Sequence, residues 1–261
     1  MNLKKNYLYA IKNPKRIKAY FWKIRKTIGV NRHNNYKKFI ILTRSRTGSN
    51  LLLSYLNVHP NILAEHELFQ RPVKKPIAKV LRKLFRRYPK SIKAVGFKIF
   101  YNHPLGEENP YLWNTLINMR DLHVIHLKRR NILRTLLSLK LALQSEKWVK
   151  YHSDSNDSIT NKTVSFDFDS LEAGFTQTRQ WEIKGDEMFK DHPIITIYYE
   201  ELVENPEETV SKVTDFLGLP PCHTSTYLVR QNPEKTSDLI DNYEELKDRF
   251  SGSPWESFFD G

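Results

Sequence analysis

Residues 39–58, FIILTRSRTGSNLLLSYLNV, constrain this chain more than any other stretch. Phe39, Ile40, Ile41, Leu42 and Thr43 are apolar or β-branched and predict a short buried strand. Arg44, Ser45, Arg46, Thr47, Gly48, Ser49 and Asn50 then form a polar turn, in which Gly48 can adopt backbone angles closed to other residues. Leu51, Leu52, Tyr55 and Leu56 follow at helical spacing, so the turn opens a helix with Ser49 or Asn50 near its cap. Strand, tight loop and helix N-terminus together aim backbone N–H groups at an anion. Two arginines add fixed positive charge there. An ordinary strand–helix turn with solvated arginines carries the same letters, so the neighbouring chemistry must decide. The loop is not a Walker A sequence: GxxxxGK[ST] is absent and no lysine precedes the hydroxyl residue. A magnesium-dependent nucleoside triphosphatase fits it poorly.

The 261 residues suffice for one large domain, and no domain-splitting linker or internal repeat interrupts them. No apolar run approaches the ~18 residues of a membrane span, and no signal-peptide pattern opens the chain. One cysteine, Cys222, cannot form an internal disulfide; a reducing, cytoplasmic setting is the simplest expectation. The net charge of +13 is unevenly placed. Residues 1–38 hold twelve Lys/Arg and no acid, and residues 71–93 hold ten more, again with no acid. That leaves 20 of the 42 basic residues against 29 acids elsewhere, a balance of −9. In the first run Tyr20, Phe21, Trp22 and Ile24 sit among lysines and arginines. Such an arm, residues 1–37, suits a solvated or packed extension, a peripheral contact of residues 1–30 with an anionic membrane, or a nucleic-acid contact. In the second run Ile77, Val80, Leu81, Leu84, Phe85 and Tyr88 predict an amphipathic helix from Pro76. Its basic face, Lys79, Arg82, Lys83, Arg86 and Arg87, is a solvated face or one that steers a polyanion inward.

Further strands are expected at 93–100 (KAVGFKIF), 122–127 (LHVIHL) and 193–199 (PIITIYY). The second of these runs into Lys128, Arg129, Arg130 and Asn131 and then a leucine-rich helix with Ser138 two turns in. Residues 151–170 read as a polar surface loop, followed by a helix of about twenty residues carrying Arg179 and Trp181. Asn205-Pro206-Glu207-Glu208 opens a helix that ends at Leu217-Gly218. The tail from Tyr227 mixes short helices and turns. Alternating strands and helices predict α/β architecture with a mainly parallel central sheet, residues 38–261 forming a single domain. Two junctions thus repeat one device: apolar strand, basic turn, helix. Ligands in such sheets sit beyond the carboxyl ends of the strands, where both junctions converge. Glu65, His66 and Glu67 lie about twenty residues after the first cradle, also at the top of the sheet.

At this point the chain resembles the sulfotransferases dependent on 3′-phosphoadenosine 5′-phosphosulfate (PAPS), closest to the bacterial carbohydrate group that includes the nodulation-factor enzymes. RSRTGSNLL is similar to the family's loop around the 5′-phosphosulfate, RNILRTLLS to its 3′-phosphate signature (Arg130, then Ser138), and YYEELVENPEETVSKVTDFLGL to a recurring structural strand and helix. The resemblance implies a P-loop nucleotide-kinase-like three-layer fold. It also implies cosubstrate contacts from Arg44 to Asn50, Arg130 and Ser138, with Arg230 the nearest analogue of a later segment. Arg46 stands where cytosolic relatives carry lysine. Arginine gives up no proton, so Arg46 is expected to do electrostatic work on the leaving adenosine 3′,5′-bisphosphate. Glu67 is expected as the base, because the family carries a glutamate facing the acceptor, with His66 and Glu65 next. A partly desolvated glutamate can rise toward a neutral pKa. Lys98 and His103, on and just after the 93–100 strand, are further candidates for the acceptor pocket, Lys98 fitting a solvated strand position equally well. The implied acceptor is a hydroxyl of a saccharide or glycoconjugate; no metal and no nucleic-acid partner are expected. A nucleotide or sugar kinase and a basic nucleic-acid-binding module are the rival readings.

Overall fold

The computed structural model describes residues 29, 31–70, 76–105, 110–145, 163–226, 228 and 233–260. Five strands form one parallel sheet in the order β3 (Ile62–Glu65), β5 (Ala94–Phe100), β2 (Lys37–Thr43), β6 (Leu122–Lys128), β7 (Ile194–Tyr198). Two short strands, β1 (Arg32–His33) and β4 (Tyr88–Pro89), pair antiparallel as a separate ribbon. β2 is central and covered on both faces, so Phe39, Ile40, Ile41 and Leu42 are all fully buried and the strand needs no polar alternation.

Helices cover both faces. On one, α1 (Ser49–Val58) inserts Leu52, Leu53 and Leu56 against Phe39 and Ile41, and α7 (Pro206–Phe216) adds Val210 and Val213. On the other, α2 (Ile77–Leu84) and α3 (Pro110–Ile117) place Leu81, Leu84, Leu112 and Leu116 over Ile40 and Leu42. A third cluster joins α4 (Ile132–Ser145), α5 (Phe168–Met188), α8 (Tyr243–Phe250) and a terminal 3-10 turn at Glu256–Phe259 around Phe175 and Phe250. The short helix α6 (Tyr199–Glu204) leads from β7 into α7.

The four expected strands are present, in a mainly parallel sheet flanked by helices. Three details differ. Ile62–Glu65 is an edge strand, where the sequence suggested only a return loop. The basic helix stops at Leu84, because Tyr88 joins the ribbon, donates its hydroxyl to Leu84 O at 2.8 Å and packs edge-on to Tyr36. α5 begins at Phe168, inside the expected loop, because Asp167 accepts the Ser170 N–H at 2.9 Å and caps it. Most of that loop, residues 151–162, lies outside the described residues.

Candidate active site

β2 ends where the Thr43 hydroxyl donates to Leu127 O at 2.6 Å, tying it to β6. The loop that follows carries two residues with positive φ, Arg46 (68°) and Gly48 (85°). Gly48 is the N-cap of α1, so Ser49 and Asn50 are the first helical residues and no side chain caps the helix. A Cβ on Gly48 would stand 2.3 Å from the Tyr199 ring, so both the turn and the close approach of that ring require glycine. The first N–H groups of α1 have no intrahelical acceptor by construction and open toward the end of the sheet.

The two loop arginines part company. Arg44 turns onto α5: its Nη1 donates to Gly174 O at 3.2 Å and to the Thr178 hydroxyl, and its guanidinium lies 5.3 Å from the Trp181 ring centre. Burial lowers its pKa to about 10, against the opposing pull of Glu182 and Tyr101, so it remains a cation at neutral pH. The sequence grouped Arg44 with the anion contacts; its guanidinium instead contacts α5. Arg46 instead reaches α4, where its Nε donates to Ser138 Oγ at 3.0 Å. Burial lowers its pKa as well.

The second junction sits beside the first. Arg129 donates to Arg46 O at 3.3 Å and stacks over Tyr199 at 4.4 Å, with Glu200 at 4.0 Å. Arg130 points outward: its side chain is half exposed, pairs with Glu201 and lies 4.2 Å over Tyr198. Its backbone N–H and that of Asn131 are received by Glu200 at 3.1 and 3.5 Å, so a carboxylate faces the start of α4. Arg230 lies outside the described residues.

Beyond β3 and β5 lies a group of titratable side chains. Lys98, on β5 and only 2% exposed, donates to Asn50 Oδ1 at 2.6 Å, contacts Ser49 Oγ at 3.5 Å and pairs with Glu67 Oε1 at 3.0 Å. Burial lowers the Lys98 pKa and Glu67 resists the change. Burial pushes the Glu67 carboxyl up, but Lys98, a backbone hydrogen bond and His66 together outweigh it, and the net shift is downward. The expected rise therefore does not occur, because a buried ammonium 3.0 Å away favours the carboxylate. Glu65 closes β3, and His66 is exposed. His103 is buried, and desolvation lowers its pKa to about 4, so the ring is neutral. Its Nδ1 accepts the Phe100 N–H at 3.3 Å, which leaves the proton on Nε2, a buried atom with no hydrogen-bond partner among the described residues.

A family model described as Stf0 sulphotransferase matches residues 111–246. Nodulation protein H of Rhizobium meliloti (strain 1021) is 32% identical over 237 residues, covering 85% of this chain and 94% of that protein. Nodulation protein H of Rhizobium tropici is 32% identical over 236 residues, with 85% and 92% covered. The chain belongs to the Stf0 sulfotransferase family. Among solved structures it is similar to a sulfotransferase from Alicyclobacillus acidocaldarius, at 16% identity and a TM-score of 0.45 over 89% of this chain and 95% of that one.

In this sulfotransferase the cradle loop rests on a polar network that sequence reading missed. His126, fully buried on β6, has Nδ1 2.7 Å from Asp186 and Nε2 2.6 Å from the Tyr101 hydroxyl. Burial lowers its pKa to about 4. The neutral ring therefore donates from Nδ1 to the carboxylate and accepts the Tyr101 proton at Nε2. Lys128 donates to the other Asp186 oxygen at 2.7 Å. Tyr101 packs 6.0 Å from Trp181, the ring beneath Arg44. Gly185 permits this approach, since a Cβ there would sit 3.0 Å from Leu42 and 3.2 Å from His126. Among the described residues no group of three His, Cys, Asp or Glu could hold a metal ion, and no helix is long and apolar enough to cross a membrane. Replacing Tyr101 by Phe strands the His126 Nε2 acceptor in the interior. Urea unfolding should show a loss of about 1 to 2 kcal/mol, whereas an unchanged midpoint and slope would mean the network does not support the fold.

Proposed function

We propose that this sulfotransferase takes its sulfuryl group from PAPS and transfers it to a hydroxyl of a saccharide or glycoconjugate by in-line displacement. Residues 38–261 serve as the catalytic domain, with 1–37 as a basic arm. The observation that carries the reading is the Arg46–Ser138 hydrogen bond of 3.0 Å, which joins two motifs 92 positions apart in one cleft. The residues suit a nucleotide with two phosphate groups: an uncapped helix start lies at Gly48–Asn50, and Arg129 and Arg130 lie at the next junction. The saccharide class rests on the likeness to the nodulation proteins.

PAPS supplies an activated sulfuryl group on a phosphate leaving group. Arg46 and the N–H groups of Gly48, Ser49 and Asn50 counter the charge that grows as that phosphate departs. Ser45 and Thr47 complete the loop, and Arg44 contributes through its brace on α5. Arg130 and Ser138, with Arg230 as an additional contact, take the 3′-phosphate. Lys98 lies between Asn50 of the cradle and Glu67, so it holds the base while adding charge beside the transferring group. Glu67, ionised through its pairing with Lys98, accepts the proton of the acceptor hydroxyl. His103 and His66 flank it. The Lys/Arg-rich residues 1–30 make a peripheral, reversible contact with anionic membrane.

The direct test is a transfer assay with labelled PAPS against glycans, lipid-linked sugars and small alcohols. Sulfation confined to small alcohols would overturn the saccharide assignment, and failure to bind adenosine 3′,5′-bisphosphate in calorimetry would overturn the cosubstrate.

Glu67→Gln should lower kcat by on the order of 100-fold or more. Because the Glu67 pKa is depressed by Lys98, the base stays ionised down to acidic pH, and the acid limb of kcat/KM should lie below the range of an ordinary glutamate. A limb at about 6 to 7, in the range of histidine, would place the base elsewhere.

Arg130→Ala should weaken adenosine 3′,5′-bisphosphate binding by about 2 to 3 kcal/mol, and Ser138→Ala by about 1 kcal/mol. Adenosine 5′-phosphosulfate, which lacks the 3′-phosphate, should be affected little; equal losses for both ligands would refute the 3′-phosphate assignment.

A further inference from the structure

The described ends of the two acid-free runs of the sequence, 1–38 and 71–93, meet in space. β1 pairs with β4, setting Arg32 opposite Pro89 and His33 opposite Tyr88. Arg87 donates to Arg32 O at 2.8 Å, Lys90 N–H to Asn31 O at 3.0 Å, and Tyr36 to Arg86 O at 2.7 Å. Gly29, where the described chain begins, packs on Pro89, leaving an added Cβ only 3.1 Å from that ring. Gly29 and residues 31–36 therefore lie beside the C-terminal end of α2.

α2 turns Leu81 and Leu84 into the core and leaves Lys79, Arg82 and Lys83 exposed, with Arg86 and Arg87 exposed just beyond it. Arg32, Lys37, Lys90 and Lys93 extend the exposed surface across the ribbon. Among the described residues none of these side chains pairs with a carboxylate; Arg86 lies instead over the Tyr88 ring at 5.3 Å. Several like charges on one folded face, none of them paired with a carboxylate among the described residues, raise a local potential that attracts a polyanion.

We propose that this face of α2 and the β1–β4 ribbon is the surface on which the folded body docks to an anionic lipid bilayer. The inference rests on the peripheral membrane role proposed for the arm and extends it to a fixed face of the folded body. Charge complementarity selects an anionic partner. The Tyr20-Phe21-Trp22 cluster with Ile24, set among arm lysines and arginines, favours a bilayer, because aromatic residues settle at the membrane interface while basic residues meet the headgroups. The apolar residues of α2 are spent on the core, so this face contributes charge without insertion.

The geometry also gives an orientation. The ribbon precedes β2 and β5 and so lies at the amino ends of the strands, whereas the cradle opens at their carboxyl ends. β2 alone spans seven residues, or about 20 Å. A bilayer at the ribbon therefore leaves the cleft open to solvent.

The test is sedimentation of the full chain with vesicles of phosphatidylcholine, with and without an equal part of phosphatidylglycerol, at low salt. Two full-length variants are compared: Lys79→Gln/Arg82→Gln/Lys83→Gln on α2, and Tyr20→Ser/Phe21→Ser/Trp22→Ser in the arm. Adenosine 3′,5′-bisphosphate binding serves as the control for folding. Each basic residue near an anionic surface contributes about fivefold, so the α2 variant should lose at least about tenfold in partition to anionic vesicles while keeping nucleotide binding. The arm variant should lose partition too, and added salt should weaken the unmodified chain. If the unmodified chain ignores anionic vesicles, both the arm reading and this inference fall. If it binds them and the α2 variant binds equally well, only the inference falls. Binding to duplex RNA as tight as to anionic vesicles would overturn the choice of lipid. Sulfuryl transfer to soluble acceptors is read separately and should be unchanged in the α2 variant.

Discussion

Parallel pairing of β2 with β6 sets everything else in this molecule. The register places Leu42 beside His126, so the two strands end at the same level and their following turns emerge side by side. The Thr43 hydroxyl on Leu127 O pins that level. Arg46 can then reach Ser138, and Arg129 can reach Arg46 O. Neither basic turn alone distinguishes an anion site from an ordinary strand–helix connection. Their adjacency supports the proposed site, because two arginines and an uncapped helix start then share one opening.

A second constraint is electrostatic. Lys98 is buried on a central strand, where an unpaired ammonium would be costly. Glu67 and Asn50 satisfy it, and the same contacts hold Glu67 ionised. One buried cation thereby couples Glu67 to the first turn of α1. On the opposite face of the sheet, Asp186, His126 and Tyr101 form a chain with a single tautomer that ends against Trp181 and the Arg44 brace. The loop is thus supported from both faces.

Much of this was legible in the sequence, and the exceptions share a cause. The run Phe39–Thr43 and the helical spacing from Leu51 are local patterns, so the first cradle could be read directly. The family motifs supplied Ser138. The partners of Arg44 lie at Gly174, Thr178 and Trp181, more than a hundred positions on, and no local period connects them. Arg129 and Arg130 are identical neighbours; only the geometry turns one inward under Tyr199 and the other outward to Glu201. Desolvation of Glu67 was a fair expectation, yet the sign of its shift depends on Lys98, which alternation on an ordinary strand would have placed in water. The two basic runs likewise looked separate until the ribbon joined them.

The most direct measurement of the central claim, that two distant junctions form one anion site through Arg46 and Ser138, is a double-mutant cycle. Affinity for adenosine 3′,5′-bisphosphate would be determined calorimetrically for the unmodified chain, Arg46→Asn, Ser138→Ala and the double variant. Asparagine tolerates the left-handed backbone of residue 46, so the turn is preserved. Side chains that hold one ligand together should be coupled, with the double variant losing less than the sum of the singles by about 1 kcal/mol. Additive losses agreeing within about 0.3 kcal/mol would contradict the account, since the two motifs would then act as separate sites.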